Sequence, residues 1–170
     1  MLPARTLGVA LVLSLMTVPT FTQSKPTTRS IQGVWKIVKT STAGPNGRTI
    51  DKSASELGGM IIVTAKHFAY VDVTADKPRP ALPPGGAVKA TADELRGTWG
   101  PFDAQAGTYE LKGNETTQNV LVAKAPGLMQ PGASYVMSFK FDGDTLMITQ
   151  VRNQAGPFPN PVTFTLTRLE

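Results

Sequence analysis

From Ile31 onward the chain is written in short runs with period two, separated by turn-forming residues, the signature of strands rather than helices. Ile31 to Thr40 opens the series, with Trp35 and Ile37 on one face and Val34, Lys36 and Val38 on the other. Gly58–Thr64 and Phe68–Thr74 read as a hairpin joined through Ala65–His67. Phe68, Tyr70 and Asp72 share one face of the second strand; Ala69, Val71 and Val73 share the other, so an outer cover is expected there. Gly107–Lys112 and Thr116–Lys124 flank a Gly113-Asn114 turn. Ser134–Phe141 places Tyr135, Met137, Phe139 and Phe141 on one side, Asp142-Gly143 turns the chain, and Thr145–Val151 returns. The last run puts Val162, Phe164, Leu166 and Arg168 on a single face.

An arginine that shares parity with three apolar residues points inward and needs a partner. The face of an indole is a good one, because the ring quadrupole attracts a guanidinium. Trp35 and Arg168 are therefore expected to meet, which makes the first and last strands neighbours and closes the sheet on itself. The architecture predicted is all-β: an up-and-down antiparallel barrel of about eight strands with one short helix. A two-layer sandwich is the alternative.

Between the strands, Ser41–Leu57 reads as a loop around Gly44-Pro45-Asn46-Gly47. Ala75–Ala90, rich in Pro and Gly, has no period and fits a lid or binding loop. Thr91-Ala-Asp-Glu94 is a capping-box pattern that starts a helix through Trp99, ended by Gly100-Pro101. Ala125–Ala133 is a further loop.

The N-terminus differs in kind. Arg5 precedes an apolar run, Leu7–Val18, within the ~7–15 residues of a signal h-region and short of the about 20 that span a bilayer. Residues 1–22 are read as a signal peptide, 23–30 as a flexible leader and 31–170 as one barrel domain. Export to the periplasm or the extracellular space follows, with no integral membrane segment once the signal is removed. The chain has no cysteine, so an exported form must be held by packing alone. Its net charge of +5 is scattered rather than clustered, which suits solubility and speaks against a nucleic-acid partner.

Candidate chemistry is sparse. His67 is the single histidine and sits at a turn; without Cys the usual zinc sets are unavailable, so neither metal nor cofactor is expected. Asp142 and Asp144 flank Gly143 and read as turn residues, and no Gly-x-Ser-x-Gly elbow is present. Asp93, Glu94 and Arg96 belong to a helix face beside the long loop. Tyr70, Tyr109, Tyr135 and Met137 lie on apolar strand faces, where such side chains either fill a small barrel or line a cavity for one ligand. Trp99 and Phe102 either plug the barrel or line its mouth. For acid–base work, Asp72 and Glu110 are the carboxylates to check, Glu110 reading as solvent-facing.

Gly33-Val-Trp35, Gly59-Met-Ile-Ile, Gly107-Thr-Tyr109, Pro126-Gly, Asp142-Gly-Asp-Thr-Leu146 and Thr165-Leu-Thr-Arg168 occur in the order and spacing of a known group. Across nearly all of Ile31–Glu170 the chain resembles the bacterial lipocalin-like domain proteins of the calycin superfamily. The resemblance implies an up-and-down barrel with an internal pocket, and it matches Trp35 and Arg168 to the family's first-strand Trp and last-strand basic residue. Members often carry a His before the Pro and an Arg after it; Asn119 and Met137 stand near those positions, which weakens any carry-over of a polar or anionic ligand. The implied function is binding of a small, largely apolar molecule, with Tyr70, Trp99, Phe102, Tyr109, Tyr135 and Met137 as ligand-contact candidates. The alternatives are an isomerase, cyclase or hydratase acting on a hydrophobic metabolite, and an envelope interaction module with a filled barrel that uses Ile61, Val71 and Val73. Ligand identity and oligomeric state are not readable from the chain.

Overall fold

The computed structural model describes residues 30–44, 49–53, 58–75 and 77–170. The expected signal at 1–22, the leader up to residue 29 and the centre of the turn at 45–48 lie outside the described residues. Among the described residues ten strands form in chain order: β1 Gly33–Ala43, β2 Thr49–Ser53, β3 Gly59–Val63, β4 His67–Val73, β5 Phe102–Lys112, β6 Glu115–Ala123, β7 Tyr135–Asp142, β8 Thr145–Asn153, β9 Gly156–Pro157 and β10 Val162–Arg168. One helix, α1 Ala92–Trp99, follows the long loop.

Eight of these strands close a ring. The order β1-β3-β4-β5-β6-β7-β8 is completed by β10, which pairs with both β8 and β1, and each pairing is antiparallel. The closed up-and-down barrel expected from the period-two pattern is what forms. Trp35 stands directly opposite Arg168 in the β1–β10 register. A bulge between Ile37 and Lys39 bends β1, so that its first half pairs with β3 and its second half with β2.

Two stretches depart from the sequence reading. Thr49–Ser53, inside the expected loop, is a strand; its Thr-Ile-Asp-Lys-Ser sequence has no apolar face, and it is held by backbone pairing to β1 and by the Lys39–Asp51 ion pair. β5 begins at Phe102 rather than Gly107. Over Phe102–Ala106 the alternation is inverted: Asp103 and Gln105 line the barrel interior while Phe102, Ala104 and Ala106 face out. A strand with its polar residues inside does not look like a core strand.

The closed end of the barrel is dry. Trp35, Ile37, Leu146 and Leu166 are fully buried, and Phe141 packs 6.2 Å from the Trp35 ring. The Trp35 Nε1–H donates to the Ile31 carbonyl at 2.8 Å, so the buried indole leaves no polar atom unpaired. Ile61 is buried in this core rather than on the outer face where the interaction-module reading put it. Its neighbours Met60 and Ile62 face outward with Val71, all three exposed, and the cover expected over that face is not found among the described residues.

The helix forms as its first turn predicts. Thr91 Oγ1 accepts from the Glu94 backbone N–H, and Glu94 Oε2 accepts from the Thr91 N–H at 2.7 Å. At the other end Lys124 Nζ donates to the carbonyls of Trp99, Gly100 and Phe102, satisfying acceptors that a helix terminus leaves free. Among the described residues no helix is long and apolar enough to cross a membrane.

Candidate functional site

Above the dry end the barrel is hollow. A cavity of about 290 Å³ occupies the interior, close to the lower bound of small-molecule sites, and its lining side chains are of two kinds. One is apolar: Ile61, Val63, Phe68, Met137, Ile148 and Phe164. The other is amide, hydroxyl and carboxylate, contributed largely by the inverted β5 and its partner: Asp103, Gln105, Tyr109, Thr116 and Gln118, with Gln150 from β8. Leu128, from the 3₁₀ turn Pro126–Met129, reaches the cavity from above.

Towards the loops lies a second, more polar space of about 320 Å³; Tyr70, Asp103, Gln150 and Phe164 line both. Asp72 forms its floor, joined by Thr40, Thr42 and Lys52. Asp72 is 8% exposed. The Tyr70 hydroxyl donates to Asp72 Oδ2 at 3.3 Å, and the Val73 backbone N–H also donates to the carboxylate. Its neighbour across the ladder is Asp103. Burial pushes the Asp72 carboxyl above the ordinary Asp range; the bonds from Tyr70 and Val73 pull the other way, and the negative charge of Asp103 adds to the rise. Burial likewise pushes the Tyr70 phenol up, and the two carboxylates add to that.

The niche for Asp72 is built into the adjacent strand. Gly59 is its register partner on β3, and a Cβ placed there would collide with Asp72 Oδ1 and stand 2.6 Å from Ile37 Cδ1. Only a residue without a side chain lets the carboxylate sit against the backbone.

Of the residues singled out in the sequence, Tyr70, Tyr109, Tyr135 and Met137 line the interior cavity together. The Tyr109 hydroxyl is already spent on the Thr64 carbonyl at 2.7 Å, and Tyr135 stacks on Phe158 with ring centres 6.1 Å apart. Trp99 and Phe102 are placed elsewhere. They pack edge-on outside the barrel, with the Arg79 guanidinium 5.0 Å from the Phe102 ring and 6.0 Å from Trp99. Of the long loop Ala75–Ala90, Ala75 lines the second space, while no residue of 77–99 lines either; Ala125 and Leu128 of the β6–β7 connection line the first. The sequence reading missed Asp103, Gln105, Gln118 and Gln150. The available signal was parity with Asp72 and Tyr109, overlooked because polar residues were assigned to solvent.

His67 is exposed at the start of β4, and Glu110 is exposed on β5. Among the described residues no three His, Cys, Asp or Glu side chains come together as a metal-binding group.

A closed eight-stranded antiparallel barrel with a hollow interior defines the class. Residues 32–160 match the family model of the lipocalin-like domain, and the chain belongs to that family. Among solved structures it is similar to a lipocalin-like protein from Bacteroides uniformis, with 9% identity and a TM-score of 0.41 over 81% of this chain and 97% of that one. An uncharacterized protein from Bacteroides eggerthii is comparable, with 9% identity and a TM-score of 0.39 over 81% and 98%. At these levels the likenesses carry no argument about what the chain binds. No curated protein matches it.

Proposed function

We propose that this protein binds one small, largely apolar molecule inside the barrel, and that it does so after export, with residues 1–22 as its signal. The observation that supports the reading is the unfilled interior of about 290 Å³, lined by Met137, Ile148, Phe164 and Phe68 together with Gln105, Gln118 and Gln150. Side chains from these strands are large enough to fill a small barrel, as they do at its Trp35 end, yet in the upper half they leave room. Tyr70, Tyr135 and Met137 are the contact residues, together with Gln105, Gln118 and Gln150, which orient whatever polar atoms the ligand carries.

A second reading, an isomerase, cyclase or hydratase on a hydrophobic metabolite, is favoured by one feature. Asp72 is a buried carboxyl with a raised pKa, hydrogen-bonded to a phenol at the edge of an apolar cavity, which is the setting of a general acid.

Native mass spectrometry of the protein purified from its own host tests the first reading, followed by titration of the ligand-free form with a neutral apolar fluorophore such as N-phenyl-1-naphthylamine. A stoichiometric passenger, or saturable probe binding displaced by an alkyl alcohol, is expected. Neither passenger nor probe binding would overturn it.

A further inference from the structure

The interior that holds the proposed ligand also has a sign. Resting on that binding reading, we propose that the ligand is a cationic amphiphile: an apolar body in the cavity and a protonated amine at its upper end, held by Asp72, Asp103 and the Tyr70 and Gln150 side chains.

Three observations carry this. First, the two spaces share Tyr70, Asp103, Gln150 and Phe164 in their linings and differ in character, so a molecule seated in the apolar one meets these side chains at the boundary between them. Second, the ionisable side chains that line both spaces are Tyr70 and the carboxylate Asp103, and Asp72 lines the second beside them. Asp72 and Asp103 face each other across the β4–β5 ladder. Among the described residues the ion pairs join Lys39 to Asp51, Arg96 to Asp93 and Arg152 to Glu115, and none reaches Asp72 or Asp103. Lys52, the basic residue lining this space, lies on the exposed β2 and pairs with neither. Third, Asp72 is more than nine-tenths buried in a niche that Gly59 keeps open, although the chain as a whole is basic with a net charge of +5.

A carboxylate taken out of water without a cation is costly, and partial repayment by a phenol and a backbone N–H leaves it short of a full counter-charge. An ammonium group supplies that charge and three donors, which the carboxylate oxygens and the Gln150 amide oxygen accept. A carboxylate-headed ligand would meet two like charges at the same place. A divalent cation is a poorer fit, because hard cations take six or more oxygen ligands and no third acidic side chain joins the pair among the described residues.

The test uses three probes of one chain length at pH 7: decylamine, decan-1-ol and decanoate, each competed against N-phenyl-1-naphthylamine on the whole protein. The amine is expected to bind about ten-fold tighter than the alcohol, a difference of about 1.4 kcal/mol, and decanoate weakest. In Asp72→Asn and in Asp103→Asn the amine's advantage falls below about three-fold while decan-1-ol affinity is retained. If Asp72→Asn fails to fold, the half-buried Asp103→Asn carries the comparison alone. Decan-1-ol or decanoate binding as tightly as the amine overturns the charge assignment and leaves the apolar-ligand reading standing, as does an amine preference that survives in the Asn variants. Failure of the fluorophore and all three chains to bind overturns both.

Discussion

The Arg168 guanidinium lies 4.2 Å from the centre of the Trp35 indole, directly across the seam where the last strand meets the first. Its nitrogens donate to the carbonyls of Ser30 and Gln32 at 2.8 Å and of Glu170 at 3.1 Å. One side chain thereby ties the segment before β1 to the end of the chain over the closed end of the barrel. Gly33 makes room for it: φ is +142° there, and a Cβ would collide with Arg168 Nη1 and stand 2.6 Å from the Glu170 carbonyl oxygen.

Arg168→Ala removes charge-assisted hydrogen bonds and the contact with the ring together, and is expected to lower stability by about 1–3 kcal/mol. Arg168→Lys keeps the charge but loses the planar fork, so it falls between wild type and Ala. Urea midpoints at constant slope measure both. A Lys variant as stable as wild type would show that the charge alone suffices and the fork geometry does not matter.

Gly59→Ala is expected to cost about 1–3 kcal/mol, because the new methyl meets Asp72 Oδ1 and Ile37 Cδ1 from a strand that cannot retreat. Asp72→Ser made in the same chain removes the obstructing carboxylate, so the double variant should recover part of the loss. Strict additivity in a double-mutant cycle would mean that the glycine is not there for the carboxylate.

Filling the interior should separate binding from folding. Ile148→Phe projects a larger side chain into the cavity beside Met137 and Phe164, and is expected to weaken binding of a neutral apolar fluorophore at least ten-fold. Since the added volume enters empty space, the urea midpoint is expected to hold or rise rather than fall. Undiminished probe binding would place the bound probe somewhere other than this cavity.

The seam and the core were legible because there period two and burial agree. Phe164 and Leu166 alternate with threonines, Trp35 and Ile37 share one parity, and all four are buried. Arg168 was legible from parity alone: it meets the Trp35 ring as expected, yet it is exposed at the barrel end rather than turned into the core. The polar part of the cavity lining was not, because β5 and β6 reverse the rule: Asp103, Gln105, Thr116 and Gln118 turn inward, and on β5 alanines turn out. A chain read for burial assigns such residues to solvent. Trp99 and Phe102 misled in the opposite direction, as large aromatics that stack on Arg79 outside the barrel.

Asp72 makes stability depend on pH in a direction opposite to that of a salt-bridged carboxylate. Its folded pKa is raised, chiefly by burial and further by Asp103, against the lowering from Tyr70 and Val73. From the unfolded Asp value of about 3.9 up to the folded one, the native protein holds a proton that the unfolded chain has released. The native state binds more protons in that window, so the stability Asp72 contributes is present on the acid side and is lost as pH rises through it. Asp72→Asn keeps an acceptor for the Tyr70 hydroxyl and abolishes the titration. At pH 3, where the carboxyl is protonated in both states, variant and wild type should unfold at nearly the same urea concentration. As pH rises to 7 the variant should become progressively the more stable of the two. The comparison isolates this group, since the other groups facing it, Asp103, Tyr70 and Lys52, are common to both proteins. Parallel midpoint curves from pH 3 to pH 7 would show that Asp72 titrates as an ordinary solvated carboxyl, and with that the buried uncompensated charge inferred for the upper end of the cavity would fail.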